Sequence, residues 1–311
     1  MRRVTTFAQI IRTCEEKNWK LADYFLYQEM DWRQREGEDS SPEAILEKME
    51  INLQVMESAA KEGIGGVQSY SGLTGYDATR LNAYRSEKAP LGKSFYLDAI
   101  VNAIAINEVN ASMGLICATP TAGSCGVVPG ILLAAREHLK LDRRQQLDFL
   151  ITSGGCGLMI GNLASISGAE GGCQAEIGSA SGMAAAALAE AAGGTPQAST
   201  NALAIALKGL LGLVCDPVAS LVEVPCIKRN ATGVVNAIAS AEMALAGMQS
   251  RIPTDEVISA MHSVGQLMPS ALRETALGGL ALTPTARRYT RELKQTGKIT
   301  WKERKGPLPS K

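Results

Sequence analysis

Three cysteines, Cys173, Cys215 and Cys226, lie in one stretch punctuated by glycine and proline, from Gly168 to Asn230. Cys173 follows a Gly-Gly pair, Cys215 stands between Gly-Leu-Val and Asp-Pro, and Cys226 follows a proline and precedes Lys228 and Arg229. Glycine and proline set turns that can aim side chains at a common centre. Three thiolates on separate turns can hold a soft metal or an iron-sulfur cluster and leave a coordination position open for chemistry. Their separations, forty-two residues and then eleven, are unlike the close Cys-x-x-Cys pairs of zinc ribbons and ferredoxins. From this pattern alone, buried inert thiols account for the three at least as well, because free cysteine is among the most buried residue types.

A second segment with chemical content is the turn Thr119, Pro120, Thr121, Ala122, Gly123 and Ser124, which leads into a helix beginning near Pro129. Backbone amides at a helix start suit a carboxylate or another anion. Cys117 and Cys125 flank the turn and could in principle supply a fourth ligand, although buried inert thiols are the better reading of them. His138 and His262 fall in helical runs and read as surface or satisfied core histidines. Nothing in the sequence identifies a catalytic base.

The elements that must position these residues read as helices. Residues 4–35 look helical, with an aromatic patch at Trp19, Tyr24, Phe25 and Tyr27 that could pack inward or face a partner. Ser40 is placed to cap the next helix, with Pro42 in its first turn and Ile45, Met49, Leu53 and Met56 on one face until Gly63. Residues 63–95, rich in glycine, serine and tyrosine, read as a long loop that either covers a site or is disordered. A buried helix follows, carrying Asn102, Asn107, Glu108 and Asn110, whose polar groups need partners. A helix ending at the glycines of Ser153–Gly157 comes next, then the cysteine stretch, then two more helices, the second with Thr254 as its cap. About eight to ten helical runs and no strand-type alternation predict a mainly α fold, one large domain of helices packed on glycine and alanine.

The chain has 311 residues, with 31 basic and 31 acidic side chains, 46% apolar content, 5% aromatic and 31 glycines. The balanced charge offers no field for nucleic acid or an anionic membrane. No window is long and apolar enough for a membrane span and no secretory signal opens the sequence, so a cytoplasmic protein with free thiols is expected. The reading divides the chain into an N-terminal helical segment at 1–35, a catalytic domain at 36–280 and a basic extension at 281–311, frayed or serving as a partner arm.

The segments TPTAGSCGVVPG, GAEGGCQAEIGSASGMAAAAL and LGLVCDPVASLVEVPCIKRNA together resemble the iron-sulfur-dependent L-serine dehydratase family, in the α chain of its two-chain form, over roughly residues 15–280. The resemblance implies a lyase that converts L-serine to pyruvate and ammonia. It implies a 4Fe-4S cluster held by Cys173, Cys215 and Cys226, with an open iron acting as Lewis acid and no pyridoxal phosphate. It also places Thr119, Thr121, Ala122, Gly123 and Ser124 at the substrate pocket. The Ser-Ser-His-Thr-like segment that completes the family's site has no match here, so a separate β chain is expected to supply it. Nor does the chain end in the cysteine by which some one-chain members reach the cluster. Two alternatives are a related lyase acting on L-cysteine or another β-substituted amino acid, and a non-enzymatic iron-sulfur sensor.

Overall fold

Apart from two isolated bridges, Gln68 with Gly75 and Cys215 with Arg273, the regular elements among the described residues are all helical. The fold is that of a computed structural model describing residues 6–86, Leu91 and 94–300. The expected N-terminal helix is split into α1 (Phe7–Lys17) and α2 (Leu21–Glu36) at Asn18, which takes φ 51°, a left-handed conformation asparagine tolerates. Tyr24 and Phe25 of the aromatic patch point into the core, while Trp19 and the exposed Tyr27 pair with centroids 5.4 Å apart. The patch is therefore divided between core and surface.

Helix α3 (Pro42–Gly65) carries Pro42 in its first turn, but its cap is Ser41 rather than Ser40, whose neighbour's Oγ accepts from Ala44 N at 3.3 Å. It does not stop at Gly63. That glycine sits against the backbone of Ala105, where a Cβ has no room. Part of the expected loop at 63–95 is likewise helical, as α4 (Asp77–Ser86). The buried Glu108 carboxylate accepts from Asp77 N at 2.8 Å and Ala78 N at 3.1 Å, a cap supplied from another helix and so invisible to local sequence. Residues 87–90 and 92–93 of that loop lie outside the described residues.

The remaining helices are α5 (Ser94–Ala111), α6 (Val127–Leu139), α7 (Arg143–Leu163), α8 (Gly168–Gly171), α9 (Ser179–Ala191), α10 (Pro196–Gly209), α11 (Cys226–Leu245), α12 (Thr254–Leu267) and α13 (Pro284–Thr296). A π-helical turn, Gln174–Gly178, leads into α9. Contrary to expectation, α7 runs straight through its glycines: Gly155 lies against the ring of Phe25 and Gly157 against Met183. These glycines are packing surfaces, not a stop.

Two helices are almost wholly interior. Every residue of α9 from Ser179 to Glu190 is buried, and α5 buries a continuous run from Ala103 to Val109. Helices α6 and α11 each pack on both of them, α3 and α4 cover α5, and α7 and α10 flank α9. Alanine and glycine at the contacts let the axes approach closely. Thr254 does not cap α12; as its first residue it donates to Thr200 O at 3.0 Å.

The basic segment beginning at 281 is not a frayed arm as far as it is described. Thr283 caps α13, its Oγ1 accepting from Ala286 N at 3.3 Å. Ala286 and Tyr289 bury with Leu73, Val218 and Ile299 in a small satellite core, and Ile299 N donates to Ser71 O at 2.7 Å. Residues 301–311 lie outside the described residues. Among those described, no helix is long and apolar enough to cross a membrane.

Candidate functional site: a thiol cluster at three helix starts

The N-terminal approaches to α6, α9 and α11 meet at one place. The Ala122–Ser124 turn before α6, the π-turn before α9 and the first turn of α11 all touch one another. Cys173 immediately precedes the π-turn and Cys226 is the first residue of α11. Helix starts present unpaired N–H groups and the positive end of the helix dipole, so this convergence favours thiolates and other anions.

The three cysteines are buried, at 2%, 3% and 6% exposure for Cys173, Cys215 and Cys226. The sulfurs of Cys173 and Cys215 and a carboxylate oxygen of Glu176 lie within 4.8 Å of one another. Cys226 stands outside that tightest set but close enough for its charge to act on Cys215 and for Cys173 to act on it. The neighbouring Cys215 thiol, which also reaches Glu176 Oε2 at 3.9 Å, and the Arg229 charge hold Cys173 below the ordinary thiol pKa. The proximity of Cys173 raises Cys215, with burial adding to it, and burial raises Cys226. Burial also raises Glu176, against a hydrogen bond from Thr121 Oγ1 at 2.8 Å.

Each cysteine is held by specific bonds. Gly172 turns the chain at φ 73°, a conformation other residues rarely adopt, with the Leu213 carbonyl oxygen 3.0 Å from where a Cβ would stand. Gln174, fully interior, donates from Nε2 to Met261 O at 2.9 Å and accepts from Gly212 N at 2.9 Å, joining the π-turn to the segment that brings in Cys215. Cys215 N donates to Leu272 O and its carbonyl accepts from Glu274 N, both at 2.8 Å. Arg229, one turn into α11, donates to Val214 O and to Asp216 Oδ1, both at 2.8 Å, and so grips the residues on either side of Cys215. Three soft donors converging beside one half-buried guanidinium fit a thiolate-bound metal group, and the arginine offsets charge that three thiolates would bring.

The Thr119–Ser124 turn forms the wall facing Glu176. Ser124 Oγ donates to Thr119 O at 3.0 Å and Thr121 Oγ1 binds Glu176. The amides of Ala122 and Gly123 have no acceptor among the described residues. A Cβ on Gly123 would stand 3.4 Å from Glu176 Oε1, so the turn packs directly beside the carboxylate.

The structure thus brings together Cys173, Cys215, Cys226 and the turn residues Thr119, Thr121, Ala122, Gly123 and Ser124. It does not bring Cys117 or Cys125 to the thiols as a fourth ligand. Cys125 lies under Asn107 with its thiol pushed up to about 12 by burial, and Cys117 lines a mainly apolar cavity of about 340 Å³ that it shares with Thr119 and Pro120 of the turn. His138 pairs with Asp98 at 2.9 Å on the surface. Glu176, Arg229, Asp216 and Gln174 were not singled out as site residues by sequence reasoning. A signal existed for two of them: Glu176 and Arg229 each stand three residues after a cysteine, a spacing that shares one helical face.

Residues 5–281 match the family described as serine dehydratase alpha chain. A probable L-serine dehydratase alpha chain of Bacillus subtilis is 55% identical over 285 residues, 92% of this chain and 93% of that one. The L-serine dehydratase alpha chain of Peptoniphilus asaccharolyticus is 42% identical over 296 residues, covering 94% and 99%. An L-serine dehydratase of Helicobacter pylori is 45% identical over 209 residues, 66% of this chain but 46% of its own length.

Proposed function

We propose that this chain, which belongs to the serine dehydratase alpha chain family, is the α subunit of an L-serine ammonia-lyase that converts L-serine to pyruvate and ammonia. The observation that carries the reading is the convergence of three buried cysteines, two from separate helix starts and Cys215 from a bridged extended segment, with a donor-lined turn beside them. Cys173, Cys215 and Cys226 are the proposed holders of a 4Fe-4S cluster. When bound, such a group supplies a Lewis acid for departure of the substrate hydroxyl, a poor leaving group whose parent water has a pKa of about 15.7.

The chain's own residues bind and orient. The Ala122 and Gly123 amides, which have no acceptor among the described residues, receive the substrate carboxylate. Glu176 fixes the Thr121 hydroxyl and sets one acid beside the substrate's ammonium group. Arg229 keeps the Cys215 segment in place and compensates thiolate charge. The base that takes the Cα proton is assigned to a partner. The Bacillus subtilis and Peptoniphilus asaccharolyticus alpha chains match this one nearly end to end, whereas in the Helicobacter pylori dehydratase the match fills less than half of the protein. A separate β chain is the natural source of the remainder. A cytoplasmic setting suits free thiols.

Iron and acid-labile sulfide per chain after anaerobic reconstitution test the reading. About four of each, with L-serine turnover appearing when the β chain is added, is the expected result. Zinc, or no metal, overturns it. Parallel assays with L-cysteine and other β-substituted amino acids separate serine dehydration from a related lyase, and binding of a cluster with no turnover of any of them would identify a sensor.

A further inference from the structure

Two buried carboxamides, one from each side, pull on the turn before α6. Asn107 on α5 is 0% exposed and donates from Nδ2 to Ala122 O at 3.3 Å and Gly123 O at 3.2 Å, with Cys125 Sγ at 3.4 Å. Asn230 on α11 is equally buried; it donates to Gly123 O at 2.8 Å and Cys226 O at 2.9 Å, and its Oδ1 accepts from Gly126 N at 3.0 Å. Asn107 Oδ1 has no partner among the described residues. An orphaned buried acceptor is costly, yet the amide cannot turn over, because its oxygen would then face two carbonyl oxygens. Asn107 is oriented by the turn it holds.

The bonds have a directional consequence. In a trans peptide unit the C=O and N–H point in opposite directions. With Ala122 O drawn toward α5, the N–H of the same unit, on Gly123, points away from α5. Gly123 itself lies beside Glu176. We propose that Asn107 and Asn230 are positioning residues for the substrate carboxylate: Asn107, through Ala122 O, holds the Gly123 amide free and outward, and Asn230 pins the same turn through Gly123 O. Asn230, through Cys226 O, also keeps that turn in register with the thiol site. The inference rests on the carboxylate-binding role given to the turn above.

The test uses Asn107→Ser and Asn230→Ser in the full chain, reconstituted and assayed with its β partner, with Asn110→Ser on the same helix as control. Serine is too short to span both carbonyls. Expected are a KM for L-serine raised about ten-fold or more, kcat within about three-fold, iron retained in Asn107→Ser, and faster amide hydrogen exchange in peptides spanning 119–126. The control leaves all four unchanged. A lowered kcat or lost iron with KM unmoved means general structural support and overturns the proposal. Unchanged exchange at 119–126 overturns it whatever the enzyme turns over. A wild-type complex without serine turnover would sink the functional reading instead, and the exchange comparison would still decide the clamp.

Discussion

At the residue scale, the cysteines separate by what surrounds them. Cys14 and Cys156 are buried with burial as the first cause of their raised pKa, Cys14 to about 11, whereas Cys173 has a donor and a cation that favour the thiolate. Alanine at Cys173, Cys215 or Cys226 is therefore expected to abolish iron binding and turnover together. Cys14→Ala should keep both and cost about 1 kcal/mol from its small cavity, read by denaturant unfolding. Full serine turnover by Cys215→Ala would refute the ligand assignment. Arg229→Lys tests the guanidinium: lysine cannot serve Val214 O and Asp216 with one planar fork. Iron retention should fall by at least half on gel filtration while the helical circular dichroism persists.

At the scale of elements, small residues decide how close the helices stand. Gly155→Ala on α7 forces a methyl into the Phe25 ring of α2, and overpacking of this kind costs about 1–3 kcal/mol. A denaturation midpoint within error of the parent would show that α2 moves aside freely. The satellite core under α13 matters locally instead. Tyr289 packs with Val218, which lies between Cys215 and Cys226 in the chain. Tyr289→Ala is expected to cost about 3 kcal/mol or more of local stability and to speed iron loss on warming. If iron loss and global unfolding accelerate equally, α13 supports the whole fold and not the thiol site in particular.

At the scale of the whole molecule, charge is balanced and one network of ion pairs joins three helices. Arg143 on α7 binds Glu50 at 2.6 Å and Glu57 at 2.8 Å on α3, and Arg136 on α6 shares Glu57 at 2.9 Å. Hydrogen bonds from Arg143 and then Gln54 lower Glu50 from 4.5 to about 2. Because its folded pKa is depressed, its contribution is complete above pH 4.5 and is lost as pH falls toward 2. Glu50→Gln should lower the melting temperature slightly at pH 7, since exposed pairs contribute little, and should flatten the decline between pH 4.5 and 2. Parallel acid profiles for the two proteins would exclude the pair as a contributor to acid stability.

Much of this was legible in the sequence because it is written in local pattern. The 3.6-residue period and the absence of strand alternation determined a mainly α fold, and the motifs around Cys173, Cys215 and Cys226 pointed to the family that the comparisons show. Proline at Pro42 marked a helix start because its φ suits the first turn. What sequence could not decide depended on distant partners. Gly63 and Gly155 look like stops until the backbone of Ala105 and the ring of Phe25 are found against them. Helix α4 is hidden because its cap is Glu108, and the basic C-terminal helix looks unanchored until Leu73 and Val218 appear beneath it. Likewise, only the tertiary structure set Asn107 and Asn230 behind one turn, because hydrogen bonds between helices are fixed by how axes pack and leave no periodic trace along the chain.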